Sequence, residues 1–327
     1  GFNYTTRKIL NNKSTRFIIL GFSGNLEMHV LLFILFLTMY VMSLLGNALI
    51  SIVIRLDPSL HMPMCYFIAS LSLVDICYTS VTAPKMLVNF FSEDKSISFV
   101  GCAAQLYFLL SLGTTECFLL AAMAYDRFLA ICNPLRYPLI MNKQLCACLV
   151  AGSWASGILL SLAALMLINL PFCGPKVINH FFCDIPPLLK LACIDTSLIQ
   201  QIIFLLSAMV ILSTFLCTII SYIYIGITIL KIPSSHGRQK AFSTCASHLT
   251  VVSLYYGTVI FMYVSPTTRS SFDLNKVIAV IYSVVTPMLN PMIYTLRNQD
   301  MKIAMTRIIF RMGIRKKELD LSKEFHP

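Results

Sequence analysis

Four ionisable residues stand in or at the ends of long apolar stretches, and they are the first candidates for chemistry. Asp75 and Glu116 are single carboxylates among apolar neighbours, and the adjacent Asp126 and Arg127 follow Glu116 in the same stretch. Charged groups are costly in an apolar medium and need a partner or a function there. Glu116 precedes Arg127 by eleven residues, close to three helical turns, so both are expected on one helix face.

Two interpretations of the carboxylates Asp75 and Glu116 remain open from the sequence. In the functional interpretation, the two carboxylates form a cation site, with sodium as the expected ion, or a protonated hydrogen-bonded cluster. The alternative is a pair of neutral acids in a purely structural network. Beyond this ion no cofactor is expected, and the six scattered histidines form no Ser/His/Asp or Cys/His catalytic pattern, so the sequence predicts no enzyme.

The composition is that of a membrane protein. Of the 327 residues 57% are hydrophobic and only 12% are charged, about half the charged fraction of a typical soluble domain. The stretches 30–54, 144–170 and 196–230 contain no Asp, Glu, Lys or Arg. Because a helix needs roughly 20 apolar residues to cross a bilayer core, a soluble enzyme is excluded.

Seven apolar segments can be counted along the chain, and they must be helical because lipid cannot satisfy backbone polar groups. They are 30–54, 62–87, 102–131, 144–170, 196–230, 241–264 and 275–296. The predicted fold is therefore all-α, a bundle of seven transmembrane helices over residues 30–297. Residues 1–29 form an extracellular N-terminus, and 298–327 form an interfacial helix and a cytoplasmic tail.

The orientation follows from the distribution of Lys and Arg. With the N-terminus outside, fifteen of the 25 lie on the inner side, as the positive-inside rule requires. The acceptor sequons at Asn3 and Asn12 then face the lumen and are expected to carry glycan. The first span is expected to act as signal anchor in a multi-pass plasma-membrane protein. The net charge of +11 forms no stripe with interleaved aromatics, so no nucleic-acid partner is expected.

A further apolar stripe follows the seventh span. Met301, Met305, Ile308 and Met312 recur at helical spacing, with Arg307 among the basic residues beside them. This pattern predicts an amphipathic helix in the inner membrane interface, in contact with lipid.

Short motifs in order along almost the whole chain resemble those of vertebrate odorant receptors, which are rhodopsin-like G-protein-coupled receptors. The inner end of the third span reads Met-Ala-Tyr-Asp-Arg, followed by Asn-Pro-Leu-Arg-Tyr. The loop run His-Phe-Phe-Cys-Asp looks like the tetrapod-type, class II subfamily. The matching runs are 46–47, 60–64, 71–75, 123–127, 133–137, 180–184, 221–222, 240–249 and 287–294.

The resemblance implies an activation switch at the inner side that engages a stimulatory heterotrimeric G protein and raises cyclic AMP. Arg127 would pair with Asp126 at rest and turn toward the G protein on activation. Proline at 291 removes one backbone hydrogen bond and supplies a flexible point. The implied switch residues are Asp126, Arg127, Tyr222, His248, Tyr256, Asn290, Pro291 and Tyr294.

Four of the twelve cysteines lie at the outer ends of spans, in an oxidising compartment. Four cysteines permit three pairings, and the resemblance implies Cys102–Cys183 and Cys173–Cys193. His180, Cys183 and Asp184 have the residue types of metal ligands. Because Cys183 is expected in a disulfide, no metal site is predicted.

By the same resemblance, the ligand site lies among the outer halves of spans three, five, six and seven. The residues expected there are mostly aliphatic, with four hydroxyls and no charge, which favours a small neutral volatile. They are Leu109, Leu110, Gly113, Thr114, Leu206, Ser207, Val210, Val259, Ile260, Tyr263, Val280 and Ser283.

Two other functions are alternatives to that of an odorant receptor. A rhodopsin-like receptor for an endogenous lipid or peptide would share the inner motifs and differ only in its ligand. A channel or transporter would usually show internal repeats and a continuous polar path, and the sequence shows neither. The sequence does not identify the ligand.

Overall fold

The computed structural model describes residues 16–22, 24–173, 176–264, 272–297 and 300–308. Seven long helical segments, α1 to α7, make up most of these residues and correspond to the seven predicted spans, although α4 ends nine residues earlier and α6 begins six residues earlier than predicted. Their bounds are α1 Leu26–Leu56, α2 Pro63–Val88, α3 Phe99–Cys132, α4 Lys143–Ser161, α5 Ser197–Leu230, α6 Ser235–Val264 and α7, which runs through Phe272–Val280, Ile281–Val285 and Thr286–Arg297.

Six of the described segments are long and apolar enough to cross a membrane, and α6 contributes the shorter apolar stretch Cys245–Ile260. The inner end of α6 begins with polar residues, which shortens its apolar part. With this helix the chain has the seven-helix bundle that the sequence predicts.

Polar side chains at the helix starts explain where several spans begin. Asn25, Ser98 and Asn142 precede α1, α3 and α4, and each side-chain oxygen accepts a hydrogen bond from a backbone N–H of the first turn at 2.9–3.0 Å. Such caps satisfy N–H groups that have no partner inside the helix. Helix α2 begins instead with Pro63, which suits the first turn because proline has no backbone N–H that would be left unpaired there.

Helix α3 is the central helix of the bundle. About 67% of the most apolar part of α3 is buried inside the protein, against 11% of the corresponding part of α1 and 22% of that of α5. The remaining outward faces carry large apolar side chains, as a lipid-facing surface requires. The functional residues on α3 are therefore held from several sides.

Small residues let α4 approach α3 closely. A Cβ atom at Gly157 would overlap the Thr115 hydroxyl and the Ser111 carbonyl oxygen on α3. The Thr115 hydroxyl donates to that same carbonyl at 2.8 Å. Further along α4 the Trp154 indole donates to the Ser70 hydroxyl of α2 at 3.0 Å. Close backbone approach at small residues is the usual packing mode between membrane helices.

A small sheet lies over the outer end of the bundle, and the sequence did not predict it. Strand β1 (Arg16–Ile19) pairs antiparallel with β2 (Ser96–Ser98) and parallel with β3 (Val177–Ile178). Phe17 and Ile19 point inward and are at most 2% exposed. Residues 16–19 thus pack against the loop that precedes α3 and the loop that follows α4.

Helix α7 is interrupted by a π-helical turn at Ile281–Val285. Such turns insert an extra residue and rotate the side chains that follow. Further inward, Pro291 lies so close to α1 that a Cβ atom at Gly46 would be 2.9 Å from its Cβ.

Residues 300–308 are helical after α7. Met301, Ala304 and Ile308 are buried on one side of this segment, as the predicted apolar stripe requires. Arg307 on the other side lies 3.7 Å from the carboxylate of Asp57, which follows α1. The rest of the stripe, including Met312, lies outside the described residues.

The α3–α4 contact yields a test of the packing. We expect Gly157→Val to lower the free energy of unfolding by about 1–3 kcal/mol, because the added atoms overlap α3. Gly152→Val is the matched control, since a Cβ there meets no atom within 4 Å. Thermal unfolding of the purified receptor measures both variants. Equal stability of the two would contradict the close contact at Gly157.

Candidate functional site

A cavity of about 740 Å³ opens among the outer halves of α3, α4, α5 and α6. Its size lies within the range of small-molecule sites in proteins, and most of its wall is apolar. The second outer loop covers it with Phe182 and the short helix Ile185–Leu189. Its position agrees with the ligand site expected from the sequence.

The structure places eight of the twelve expected ligand residues in the cavity wall: Leu109, Leu110, Gly113, Thr114, Leu206, Ser207, Val210 and Val259. Three described residues of that set, Ile260, Val280 and Ser283, do not line the cavity. The side chain of Tyr263 lies outside the described part of the structure.

The seventh span accounts for two of these three differences. The expectation for Val280 and Ser283 assumed regular α-helical spacing, but both border or lie in the π-helical turn. That turn directs Tyr282 into the cavity, while Ser283 is buried at 2% exposure away from it. Ile260 follows the lining residue Val259 by one position, about 100° around α6, and so faces away.

The roof of the cavity is held by both predicted disulfides. Cys102 at the outer end of α3 is bonded to Cys183, and Cys173 is bonded to Cys193 within the loop. Gln105 reinforces the first bridge, because its side-chain oxygen accepts from the Cys183 N–H and its amide donates to the Val81 carbonyl of α2, both at 2.9 Å. Because the Cys183 thiol is consumed in the bridge, it cannot ligate a metal ion.

Sequence reasoning missed the loop residues of the wall, including two charged side chains at its outer end, Asp184 and Lys190. Asp184 accepts from the Ile185 N–H at 2.8 Å. Burial raises the pKa of Asp184 to about 6, against the lowering effect of that bond. The expected disulfide was the available signal, since it ties residue 183 to α3 and brings its neighbours over the cavity.

His180, which the sequence also grouped with possible metal ligands, is buried in the roof. Its ring packs against Phe182 with 4.5 Å between ring centroids. Burial, together with the nearby Lys276, lowers the pKa of His180 to about 4. His180 is therefore a neutral, packed side chain at physiological pH.

Two neighbouring tyrosines of α6 bond to α3, and Tyr255 of this pair lines the floor of the cavity. The Tyr255 hydroxyl donates to the Gly113 carbonyl at 2.6 Å and lies 3.5 Å from the Cys117 sulfur. The Tyr256 hydroxyl donates to the Cys117 carbonyl at 3.4 Å. Tyr256, the expected switch residue, does not line the cavity, but it joins α6 to α3 next to the lining residue Tyr255.

The two mid-membrane acids lie below this floor and are both buried. The Asn290 amide donates to both carboxylate oxygens of Asp75, at 3.0 and 3.2 Å. Glu116 is 3% exposed. Among the described residues, one oxygen of Glu116 and the side-chain oxygen of Asn290 are buried without a hydrogen-bond partner. These oxygens could serve a small cation or water.

The inner end of α3 differs from the expectation in one respect. The Asp126 carboxylate accepts a hydrogen bond from the Tyr137 hydroxyl at 2.9 Å. Asp126 and Arg127 are both described, and they form no ion pair with each other. Consecutive residues on a helix point about 100° apart, so Asp126 faces the short inner-loop helix Tyr137–Ile140, and the expected resting pair with Arg127 is absent.

The remaining switch residues surround Arg127. The Tyr222 hydroxyl lies 2.7 Å from the His248 ring nitrogen, which joins α5 to α6. Tyr294 of α7 is buried, and its hydroxyl has no hydrogen-bond partner among the described residues. The Arg127 charge acts on Tyr222, His248 and Tyr294 alike. Arg127 on α3 therefore lies near residues of α5, α6 and α7.

Comparison with known proteins agrees with this architecture. The family model for olfactory receptors matches residues 36–312. Human olfactory receptor OR9H1 is 50% identical over 301 residues, which cover 92% of this chain and 98% of the relative. Human olfactory receptor 10A7 is 49% identical over 307 residues (94% and 97%), and mouse olfactory receptor 5AP2 is 51% identical over 298 residues (90% and 93%).

The chain belongs to the olfactory receptor family. It is therefore a multi-pass membrane receptor of the G-protein-coupled class and not an enzyme.

Proposed function

We propose that this receptor binds a small, mostly apolar, neutral volatile in the cavity and activates a stimulatory heterotrimeric G protein that raises cyclic AMP. The observation that carries the proposal is the 740 Å³ cavity beneath a disulfide-bonded roof. Its floor includes Tyr255, which joins α6 to α3. A ligand there touches the helices that also carry the inner switch.

The chemistry of the wall supports the ligand class. Aliphatic side chains from α3, α5 and α6 provide most of the contact, and affinity then comes mainly from apolar burial at roughly 25 cal/mol per Å². Thr114, Ser207 and Tyr282 supply hydroxyls inside the cavity. The charged groups Asp184 and Lys190 stay at the outer end. The deep part therefore suits an alcohol, aldehyde, ketone or ester.

A cyclic-AMP screen of transfected cells against such volatiles tests this proposal. For an oxygenated agonist, Ser207→Ala should raise the half-maximal concentration about 5- to 150-fold, the equivalent of about 1–3 kcal/mol for an unpaired buried group. Ser213→Ala is the matched control, because Ser213 lies on the same helix outside the cavity wall. A receptor activated only by charged acids or amines would contradict the proposed ligand class.

Coupling to the G protein is proposed to depend on Arg127. We expect Arg127→Ala to abolish the cyclic-AMP response while the receptor still reaches the surface, because the resemblance implies that this arginine turns toward the G protein on activation. Arg55→Ala removes an exposed inner charge outside this cluster and serves as control. An undiminished response of Arg127→Ala at equal surface level would refute the role.

The orientation is proposed to place the N-terminus outside and the tail after α7 in the cytoplasm. The excess of Lys and Arg on the inner side supports it, as do the disulfides of the outer loops. Asn3 and Asn12, the proposed glycan sites, lie outside the described residues. An N-terminal epitope, used to measure surface level in the Arg127 assay, must then stain without permeabilisation.

We also propose that a sodium ion binds near Asp75 and Glu116. The buried oxygens of Glu116 and Asn290 that lack a hydrogen-bond partner support this site, since hard cations prefer oxygen ligands. Bound sodium would neutralise part of the buried negative charge and hold α2, α3 and α7 together.

The ion should stabilise the folded receptor. Replacing choline chloride by sodium chloride at equal ionic strength should raise the melting temperature of the purified receptor by at least about 2 °C. Asp75→Asn should lose this difference, whereas Asp184→Asn, a carboxylate outside the cluster, should keep it. Equal melting temperatures in both salts would contradict sodium binding and would assign Asp75 and Glu116 to a purely structural network.

A further inference from the structure

The exposed residues of the cavity wall all lie at one side of the molecule. They are Pro186, Lys190, Ser197, Gln200, Gln201 and Phe204, from the second outer loop and the first two turns of α5. By contrast, the wall residues from α3 and α6, such as Leu109, Tyr255 and Val259, are buried. The cavity therefore reaches the surface beside α5.

In the part of the roof that the structure describes, the sheet and the second outer loop are closely packed. Phe17, Ile19, Ile178 and Cys183 are at most 2% exposed and belong to one apolar cluster with the outer end of α3. Phe22 stacks on Phe181 with 4.0 Å between ring centroids. The sheet and the loop thus pack as a solid layer over the outer ends of the helices.

The lower part of the opening lies between α4 and α5 and is apolar. Leu160 lines it from the end of α4, Ala163 lines it from the 3-10 helix Leu162–Asn169 that follows α4, and Phe204, 54% exposed, lines it from α5. Leu159 and Leu205, which do not line the cavity, are each 64% exposed on the surface beside the opening. Such large exposed apolar side chains on a membrane helix face lipid.

The depth of these residues places the lower part within the bilayer. Phe204 follows the start of α5 by seven residues, about 10 Å along the helix axis. The polar residues Ser197, Gln200 and Gln201 occupy the turns above it, as expected at the headgroup level. The opening therefore has a polar upper half and an apolar lower half.

We propose that the gap between α4 and α5, bounded by Leu160, Ala163 and Phe204, is a lateral entrance through which apolar molecules pass from the outer leaflet into the cavity. As an entrance for odorants it rests on the proposed function. A five-carbon chain is concentrated in a bilayer roughly a thousandfold, so ligand supply from lipid exceeds supply from water. In this proposal, apolar molecules do not pass through the polar upper half of the opening.

Labelling of a cysteine inside the cavity measures entry without any known agonist. The full chain carrying Ser207→Cys, in phosphatidylcholine nanodiscs, is treated with N-ethylmaleimide, whose alkene carbon bonds to the sulfur while the thiol proton ends on the neighbouring carbon. Peptide mass spectrometry follows the adduct at position 207. The exposed native Cys217, lower on α5, reports the reagent reaching the same helix from lipid.

Bulk placed in the gap should slow the labelling. Adding Phe204→Trp or Ala163→Trp should reduce the rate at position 207 at least tenfold and leave the rate at Cys217 unchanged. Leu205→Trp, next to the gap but outside the cavity wall, is the matched control and should have no effect. Gln200→Trp, which fills the polar upper half, should also leave the rate unchanged.

Other outcomes would overturn the entrance. A rate slowed by Gln200→Trp alone would assign entry to the water-facing half, and a rate slowed by none of the variants would exclude the whole opening. If the tryptophan variants fail to fold, Phe204→Ala should speed labelling at least threefold, and an unchanged rate contradicts the proposal. A receptor that responds to no volatile would still give these rates, so the two proposals fail separately.

Discussion

The whole structure depends on one constraint, which is that the bilayer interior offers no hydrogen-bond partner to a polar group. Backbone groups meet it by forming helices, and hydroxyls such as Thr115 meet it by donating to the carbonyl one turn earlier. Polar side chains that remain must find one another across helices, as Trp154 does with Ser70 and Asn290 with Asp75. Each such pair fixes the register of two spans.

Because α3 lies at the centre, these fixed contacts follow one another along it. Its outer end carries the disulfide to the roof, and its next turns form the cavity wall and receive the tyrosines of α6. Glu116 follows within the membrane, and Asp126 and Arg127 end the helix at the inner side. In the account proposed here, a ligand that displaces Tyr255 or Tyr256 changes how α6 packs on α3. Such a change reaches Arg127 because His248, on which the Arg127 charge acts, lies on the same helix α6.

The sequence predicted the parts of this arrangement that depend on local patterns. Span limits follow from apolar length, and both disulfides were expected from the resemblance and are confirmed. Contacts between distant segments were not predictable, because no local signal marks the pairing of Arg16–Ile19 with residues 96–98 and 177–178. The same holds for the Tyr137 bond to Asp126. Val280 and Ser283 of the predicted site do not line the cavity, and Ser283 lies in the π-helical turn of α7, which regular helical spacing could not reveal.

In the proposed function, one cavity receives the ligand, and α3 and α6 carry its effect to the inner side. The most direct measurement is a cryo-electron microscopy map of the full chain with a stimulatory G protein and an agonist found by screening. We expect agonist density between Leu109 of α3 and Ser207 of α5, above Tyr255. The C-terminal helix of the G protein should lie beside Arg127. Agonist density outside this cavity, or a G protein that does not approach Arg127, would contradict it.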